Sequence, residues 1–343
     1  MSRAYGCHGR PTLLTPFPRG WADARDSLLA VPRPIEARLA AGPLQGRRQR
    51  VGVALGGGSA RGYAHIGALV ALERHGVRPD VVAGTSFGAI VGAMYASGRS
   101  LASLRSEAER LRRRDVFPHI FDFGLNRAAL LRGERLQAYF ERLVEGRHFE
   151  DCRVPLLVVA TDLDDGERVV IRSGPLAPAL RASATLPGVF APVLLDGRRL
   201  VDGGIGSPVP LETLRDEGVD LALGVGAGVE PRDSTALALV RQGLSGAPGR
   251  ALRARLARAR GAGHWGGLAR GLALSFEAWA NASEALAEGE GDGVHVQTRP
   301  PISWMRFDLA ARAISAGDAA MESAWPRLRG SFGGGAPGAA EAP

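Results

Sequence analysis

The strongest constraint on this chain is the repeated succession of a strand-length apolar run, a glycine turn and a segment with helical periodicity. Val51–Leu55 is apolar apart from one glycine and leads into Gly56, and residues 80–84 lead in the same way through Gly84 into a helical pattern. A continuous apolar run predicts a strand buried on both faces, as in a parallel sheet. Because strands and helices alternate with short links, we expect an α/β fold: a three-layer α/β/α sandwich with a mainly parallel central sheet.

The same patterns assign an element to most of the stretch between residues 51 and 226. Strands are predicted at 51–55, 80–84, 155–161, 168–171 and 219–225. Helices are predicted at 63–75, 89–97, 100–114, 130–146, 176–184 and 211–217. Short apolar pairs at 194–195 and 200–201 flank a glycine turn at Gly197.

Composition excludes several classes of protein. Hydrophobic residues make up 45% of the 343 positions and charged residues 23%, which is typical of a globular chain. The longest apolar runs are far shorter than the roughly 20 residues of a membrane-spanning helix, and no apolar region near the N-terminus indicates a secretory signal. The two cysteines, Cys7 and Cys152, form neither a disulfide framework nor a metal-ligand pattern. We therefore expect a cytoplasmic location and no metal.

The charge of the chain suggests a polyanionic partner. The formal net charge is +8, and all 43 cationic side chains are arginines. A basic surface attracts either nucleic acid or anionic lipid headgroups. Seven arginines and no acidic residue lie between 234 and 276, where Leu252, Leu256 and Ala259 share one face at helical spacing. This pattern predicts either a basic amphipathic helix at a membrane surface or the solvated face of an ordinary helix.

The residues that follow the second predicted strand form a G-x-S-x-G motif, Gly84-Thr85-Ser86-Phe87-Gly88. A strand, a sharp turn and a helix are the context that a nucleophile elbow requires, because the turn strains the backbone of the central serine and exposes its hydroxyl. Glycines on both sides let the strand and the helix approach closely. Ser86 is therefore a candidate nucleophile.

A glycine loop, Gly56-Gly57-Gly58-Ser59-Ala60-Arg61-Gly62, follows the first predicted strand and opens a helix. Consecutive backbone N–H groups at the start of a helix form a cradle for a phosphate or an oxyanion. A dinucleotide site would need glycine where Arg61 stands, and a Walker loop would need a lysine, which this chain lacks. An oxyanion hole on the strand beside the nucleophile fits better.

A third motif, Asp202-Gly203-Gly204, places a carboxylate at the end of a predicted strand, although aspartate is also an ordinary turn residue. In their order, the three motifs resemble the patatin-like phospholipase family. Residues 160–163, 180–192 and 208–210 match the family's pattern as well, and residues 307–317 resemble its closing helix. The likeness covers residues 51–226 well and residues 270–328 loosely.

The resemblance implies a catalytic dyad, with Ser86 as the nucleophile and Asp202 as the base, and no metal or organic cofactor. It implies an oxyanion hole made by the N–H groups of Gly57, Gly58 and Ser59, with Arg61 close by. The glycines that would support these motifs are Gly56, Gly62, Gly84, Gly88, Gly203 and Gly204.

Two other residues remain candidates for the base. His65 lies one turn into the helix after the glycine loop, where we expect it to pack or to form a hydrogen bond. Asp162 also ends a predicted strand, but Asp164 and Asp165 beside it suggest an acidic turn.

Composition and the resemblance together divide the chain into four regions. Residues 1–50 are expected to be a basic, mostly disordered arm, because they are rich in Arg, Pro and Gly and lack periodicity. Residues 51–226 would be the patatin-like catalytic core, 227–329 an Arg-rich helical segment and the C-terminal completion of the domain, and 330–343 a disordered tail.

The expected activity is hydrolysis of ester-linked acyl chains of phospholipids or lysophospholipids, with peripheral contact to an anionic membrane surface and without nucleic acid as a partner. Two alternatives stay open. One is a general carboxylesterase that acts on soluble esters. The other is a non-catalytic protein that uses Gly56–Arg61 to bind a phosphate or a partner.

Overall fold

The computed structural model of the protein describes residues 48–120, 123–126, 129–187, 189–228, 294–303 and 305–332. Eight of the strands in this part of the chain form one sheet, and two more form a separate hairpin. The strands are β1 (Val51–Leu55), β2 (Val81–Thr85), β3 (Phe123–Asn126), β4 (Ala129–Leu131), β5 (Leu156–Asp162), β6 (Arg168–Ile171), β7 (Val193–Leu195), β8 (Arg198–Asp202), β9 (Leu221–Ala227) and β10 (Val294–Thr298).

The central sheet is mainly parallel, as the apolar runs predict. Strands β10, β9, β1, β2 and β5 lie side by side in that order, and each pair is parallel. Strands β6 and β8 both pair antiparallel with β5, and β7 pairs antiparallel with β8. β1, β2 and β5 are buried along their whole length, which explains why their sequences show no alternation of polar and apolar residues.

Helices cover both faces of this sheet, so the predicted α/β sandwich is confirmed. They are α1 (Ala64–Arg74), α2 (Phe87–Ala96), α3 (Leu101–Arg110), α4 (Arg113–Ile120), α5 (Glu134–Leu143), α6 (Leu176–Ser183), α7 (Leu211–Asp216) and α8 (Ala310–Leu328). On one face, Leu214 of α7 packs in a cluster with Ala83 and Leu157. On the other face, Leu55 and Val82 belong to the larger core that includes α1, α2 and α8.

The last helix, α8, packs directly on α1, and two glycines make the close crossing possible. A Cβ on Gly67 would overlap the backbone of Ile314, and a Cβ on Gly317 would overlap the backbone of Ala64. Strand β10 likewise pairs with β9. The segment after residue 293 therefore contributes a strand and a helix to the same layered structure.

Two predicted helices differ from the structure. The helix predicted at 100–114 ends at Arg110, because Leu111 is extended and Asp115 accepts a hydrogen bond from the backbone N–H of Arg112, which starts a second helix. The helix predicted at 130–146 begins only at Glu134, after strand β4 and the left-handed Gly133. The sequence patterns also miss strands β3 and β10, which are short runs of 4 and 5 residues.

The predicted basic arm, the amphipathic segment at 250–260 and the C-terminal tail lie outside the described residues, apart from a few positions at their margins. In the part of the chain that the structure describes, no helix is long and apolar enough to cross a membrane.

Candidate active site

The register of strand β5 explains how two distant parts of the chain meet. Strand β6 pairs with Val158–Thr161 and so occupies one edge of β5. Strand β2 pairs with β5 up to Val159, and β8 pairs with it from Ala160 onward. Because a strand has two edges, β2 and β8 share the other one and meet there end to end. Ser86 follows β2 and Asp202 ends β8, so both residues lie at this junction.

Ser86 has the strained backbone that the G-x-S-x-G motif predicts. Its φ of 53° and ψ of −121° are unfavourable for any residue with a side chain. Close packing imposes this conformation: a Cβ on Gly84 would lie 2.5 Å from Ala89 Cα, and a Cβ on Gly88 would overlap the carbonyl of Leu55. The turn can therefore form only with glycine at these two positions.

A hydrogen bond to Ser183 also holds the elbow in place. The backbone N–H of Ser86 donates to Ser183 Oγ at 2.8 Å, and that hydroxyl donates to the carbonyl of Val159 at 2.6 Å. Ser183 is fully buried at the C-terminal end of α6. The sequence motifs did not single out this residue, because a serine at the end of a helix carries no signal of a contact with a turn 97 residues earlier.

The hydroxyl of Ser86 points to Asp202. Ser86 Oγ donates to Asp202 Oδ2 at 2.8 Å and does not cap helix α2. Asp202 Oδ1 accepts from the backbone N–H of Gly204, also at 2.8 Å. Burial raises the pKa of Asp202 to about 6, although the hydrogen bonds from Gly204 and Ser86 act in the opposite direction. A carboxylate with this pKa is charged at neutral pH and is a better proton acceptor than an exposed aspartate.

Gly203 lets the chain after β8 cross β5. A Cβ at this position would overlap the carbonyl of Val159, so only glycine permits the close approach. The adjacent Gly204 supplies the N–H that orients Asp202. Both glycines of the third motif thus act on the position of the carboxylate.

The glycine loop lies against Ser86, but its first N–H groups are already engaged. A Cβ on Gly57 would lie only 3.6 Å from Ser86 Cβ. The N–H of Gly56 donates to the carbonyl of Val225 at 2.9 Å, and the N–H of Gly57 donates to the carbonyl of Pro208 at 3.0 Å. The Gly57 N–H, which the resemblance implies as an oxyanion-hole donor, therefore bonds to a backbone carbonyl in this structure.

The next two residues of the loop keep their donors. The N–H groups of Gly58 and Ser59 have no hydrogen-bond partner among the described residues. Ser59 has a left-handed φ of 50°, which continues the turn from strand to helix. Gly58 packs so closely on Ala227 that a Cβ would lie 2.8 Å from that side chain.

Arg61 and Gly62 support the loop from the side away from solvent. Arg61 is 4% exposed and donates from Nε to the carbonyl of Ile302 at 3.0 Å. Gly62 faces the ring of Phe87, where a Cβ would lie 2.5 Å from Cδ1. The side chain of Arg61 thus joins the loop to the segment before α8.

The two alternative bases are engaged elsewhere. His65 Nε2 lies 2.7 Å from the carbonyl oxygen of Gly56, and burial lowers the pKa of the imidazole to about 4. Asp162 Oδ1 accepts from the N–H of Asp164 at 2.9 Å, and Oδ2 lies 3.5 Å from Arg198 Nη1. Asp162 pairs with Leu200 in the sheet, two residues away from Asp202.

Comparison with known proteins identifies the class of domain that this geometry belongs to. Residues 53–215 match the family model described as Patatin-like phospholipase. An uncharacterized NTE family protein of Mycobacterium tuberculosis is 40% identical over 176 residues, which is 51% of this chain and 48% of the relative. Patatin-like phospholipase domain-containing protein 6 of Homo sapiens is 32% identical over 200 residues, which is 57% of this chain and 14% of the relative.

The chain therefore carries a domain of the patatin-like phospholipase family, a family of lipid hydrolases. Its match spans about half the length of the mycobacterial relatives and a much smaller share of the human one. Among solved structures, the crystal structure of VipD from Legionella pneumophila matches 82% of this chain and 67% of its own, with 15% identity and a TM-score of 0.42. The family assignment depends on the sequence matches alone.

Proposed function

We propose that this protein is a serine acyl hydrolase that cleaves ester-linked acyl chains from phospholipids or lysophospholipids, with Ser86 as the nucleophile and Asp202 as the base. The observation that carries this proposal is the 2.8 Å hydrogen bond from Ser86 Oγ to Asp202 Oδ2 at a strained elbow. The patatin-like domain supports lipid hydrolysis in general. Every group in the proposed dyad and oxyanion hole lies within residues 51–226, the proposed catalytic core.

In the first half-reaction, Ser86 Oγ attacks the ester carbonyl while Asp202 accepts the hydroxyl proton. The carbonyl oxygen becomes an oxyanion, which the N–H groups of Gly58 and Ser59 stabilise as hydrogen-bond donors. The tetrahedral intermediate then expels the alcohol, which takes the proton from Asp202. The products of this step are the deacylated alcohol and an acyl ester on Ser86.

In the second half-reaction, water attacks the acyl ester and gives a proton to Asp202. The same N–H groups stabilise the second oxyanion, and its collapse releases the fatty acid. Ser86 recovers its proton from Asp202, so the site returns to its starting state without a cofactor. A direct Ser–Asp pair also explains why no imidazole is needed between the two side chains at 2.8 Å.

Contact with an anionic lipid surface would bring the site to its substrate. The chain has a formal net charge of +8, all of it from an excess of arginine over acidic residues. Attraction of basic segments to anionic lipid weakens as the salt concentration rises. Binding to vesicles of phosphatidylglycerol should therefore fall with salt and exceed binding to vesicles of phosphatidylcholine, whereas tighter binding to duplex DNA would favour a nucleic-acid partner instead.

The test of the enzymatic proposal compares Ser86→Ala with Ser103→Ala, an exposed serine on α3. A fluorophosphonate probe should label the wild-type chain and Ser103→Ala, and it should not label Ser86→Ala. Hydrolysis of phosphatidylcholine and lysophosphatidylcholine in mixed micelles should be lost in Ser86→Ala alone. Normal turnover by a folded Ser86→Ala chain would overturn the nucleophile assignment.

The choice of substrate separates a lipid hydrolase from a general carboxylesterase. A lipid hydrolase should act faster on micellar phospholipid than on a monomeric ester such as p-nitrophenyl butyrate at equal bulk concentration. Higher activity on the monomeric ester, with none on the micelles, would support the esterase alternative. Binding of inorganic phosphate at the glycine loop without any labelling of Ser86 would support the non-catalytic one.

A further inference from the structure

A buried histidine beside the glycine loop has no part in the proposed proton transfers. His65 is the second residue of α1 and is fully buried. Its Nε2 lies 2.7 Å from the carbonyl oxygen of Gly56, and its Nδ1 has no hydrogen-bond partner among the described residues. A carbonyl oxygen only accepts, so the hydrogen of the ring must sit on Nε2. Burial favours the neutral ring and lowers the pKa of His65 to about 4.

The carbonyl that His65 holds belongs to the first peptide of the glycine loop. The N–H of the same peptide, on Gly57, donates to the carbonyl of Pro208 at 3.0 Å. The peptide between Gly56 and Gly57 is therefore held at both ends. The orientation of this peptide plane limits how the next peptide, between Gly57 and Gly58, can rotate. That next peptide carries the N–H of Gly58.

The same carbonyl oxygen also touches the nucleophile elbow. A Cβ on Gly88 would lie 2.5 Å from Gly56 O, so this oxygen sits between the imidazole and the first turn of α2. Gly88 is two residues from Ser86. A shift of Gly56 O would therefore change the position of the loop relative to the serine that it serves.

The other end of the loop is held by a different bond. The carbonyl of Gly58 accepts from the N–H of Arg61 at 3.1 Å, which directs the N–H of Ser59. The peptide between Gly57 and Gly58 lies between these two fixed points. If the first fixed point were lost, this peptide could rotate and present its carbonyl where the oxyanion needs a donor.

We propose that His65 is a positioning residue that keeps the glycine loop in register with the nucleophile elbow by donating its Nε2–H to the carbonyl of Gly56. The proposal rests on the proposed function, because the loop matters to catalysis only if Ser86 reacts there. An apolar side chain of similar size would fill the same space and leave the buried carbonyl without a donor. The contribution of the bond can thus be separated from that of packing.

Three substitutions at His65 make this separation. The amide nitrogen of glutamine stands the same number of bonds from the backbone as Nε2, so His65→Gln keeps a donor within reach of Gly56 O. His65→Asn has an amide that is too short, and His65→Leu has no donor. His75→Gln is the control, because His75 follows α1, stacks on Trp325 and bonds to Glu322, far from the proposed chemistry.

The expected result is a fall in kcat with little change in KM. His65→Leu and His65→Asn should lose roughly 10- to 100-fold in kcat on micellar phosphatidylcholine, less than the loss of an oxyanion donor itself. His65→Gln should stay within about 3-fold of the wild type, as should His75→Gln. Wild-type kcat in His65→Leu, or a His65→Gln chain as impaired as His65→Leu, would overturn the proposal.

A second measurement keeps the test independent of activity and of folding. In the wild-type chain labelled with an NMR-active nitrogen isotope at histidine, the ring of His65 should be neutral and protonated on Nε2 at pH 7. Protonation on Nδ1 would overturn the proposal even if the variants failed to fold. Absence of any Ser86-dependent turnover in the wild type is a different result, since it would overturn the proposed function whatever the ring shows.

Discussion

Two buried aspartates, Asp202 and Asp162, end strands that pair with each other, and they begin from nearly the same local structure. Each is about 5% exposed. In each, Oδ1 accepts from the backbone N–H two residues further on, at 2.8 Å from Gly204 and at 2.9 Å from Asp164. The difference lies in the remaining oxygen. Oδ2 of Asp202 accepts from Ser86, whereas Oδ2 of Asp162 faces the guanidinium of Arg198.

If Asp202 is the base, as we propose, the second oxygen of each buried carboxylate is what separates their roles. The second oxygen of Asp162 faces a guanidinium, and not a hydroxyl from which it could take a proton. Among the described residues, the groups that donate to Asp202 are neutral, and burial raises its pKa to about 6. Asp202 pairs with Ala160, whereas Asp162 pairs with Leu200, two residues further along the two strands. This offset places Asp202 at the end of β2, where Ser86 follows.

The largest expected effect comes from removing the charge of each aspartate in turn. Asp202→Asn keeps the shape and loses the base, so kcat should fall on the order of 10²- to 10⁴-fold. Asp162→Asn should change kcat by less than about 3-fold, because that side chain only closes a turn and contacts an arginine that is 42% exposed. Steady-state hydrolysis of micellar phosphatidylcholine measures both. Equal losses in the two variants would contradict the distinction between the aspartates.

The pH dependence of activity is the next test. The base must be deprotonated, so kcat/KM should rise with pH and level off above about 6, the pKa to which burial raises Asp202. Below that value the rate should fall about tenfold per pH unit. The midpoint should remain in Asp162→Asn. A midpoint near 4 would mean that Asp202 is not the titrating base.

The same pKa links activity to stability with a definite sign. Because the pKa of Asp202 is higher in the folded chain than its ordinary value of 3.8, the folded state binds the proton more tightly. Its contribution to stability is complete below pH 3.8 and is lost as the pH rises through about 6. At neutral pH the charged side chain should therefore cost up to about 3 kcal/mol, which Asp202→Asn would recover in urea unfolding.

The sheet and the position of the serine could be predicted because they depend on local patterns. The buried strands β1, β2 and β5 are continuous apolar runs, and β1 agrees with its predicted limits. The strained turn at Ser86 follows from glycines two residues away on either side. These features need no information from distant parts of the chain.

The parts that could not be predicted depend on distant partners. The N–H of Gly57 looks like a free donor in the sequence, but Pro208 lies 151 residues further on and accepts it. A local bond also interrupts the helix predicted at 100–114, because Asp115 accepts from the N–H of Arg112 at the start of α4. In the family resemblance Ser183 belongs to a matching stretch, yet its bond to the elbow appears only in three dimensions.

The smallest expected effect concerns the bond that places Ser86 against Asp202. Ser183→Ala would leave the N–H of Ser86 and the carbonyl of Val159 without their side-chain partner. Two buried polar groups would then lack a hydrogen bond, which costs about 1–3 kcal/mol each at most. We expect a lower urea midpoint and, because the strained serine is less well held, a fall in kcat of roughly 3- to 10-fold.

Ser97→Ala is the matched control for this last prediction. Ser97 is also buried, and its hydroxyl lies within hydrogen-bonding distance of the carbonyls of Ala93 and Met94 at the opposite end of α2. Its loss should lower stability by a similar amount without an effect on kcat, since the strain at Ser86 is untouched. If the two variants lose equal stability and equal activity, the bond that Ser183 accepts from Ser86 only supports the fold. If only Ser183→Ala loses kcat, the bond to Ser183 contributes to activity by holding Ser86 against Asp202. Asp162 has no such serine on its second oxygen, which faces Arg198.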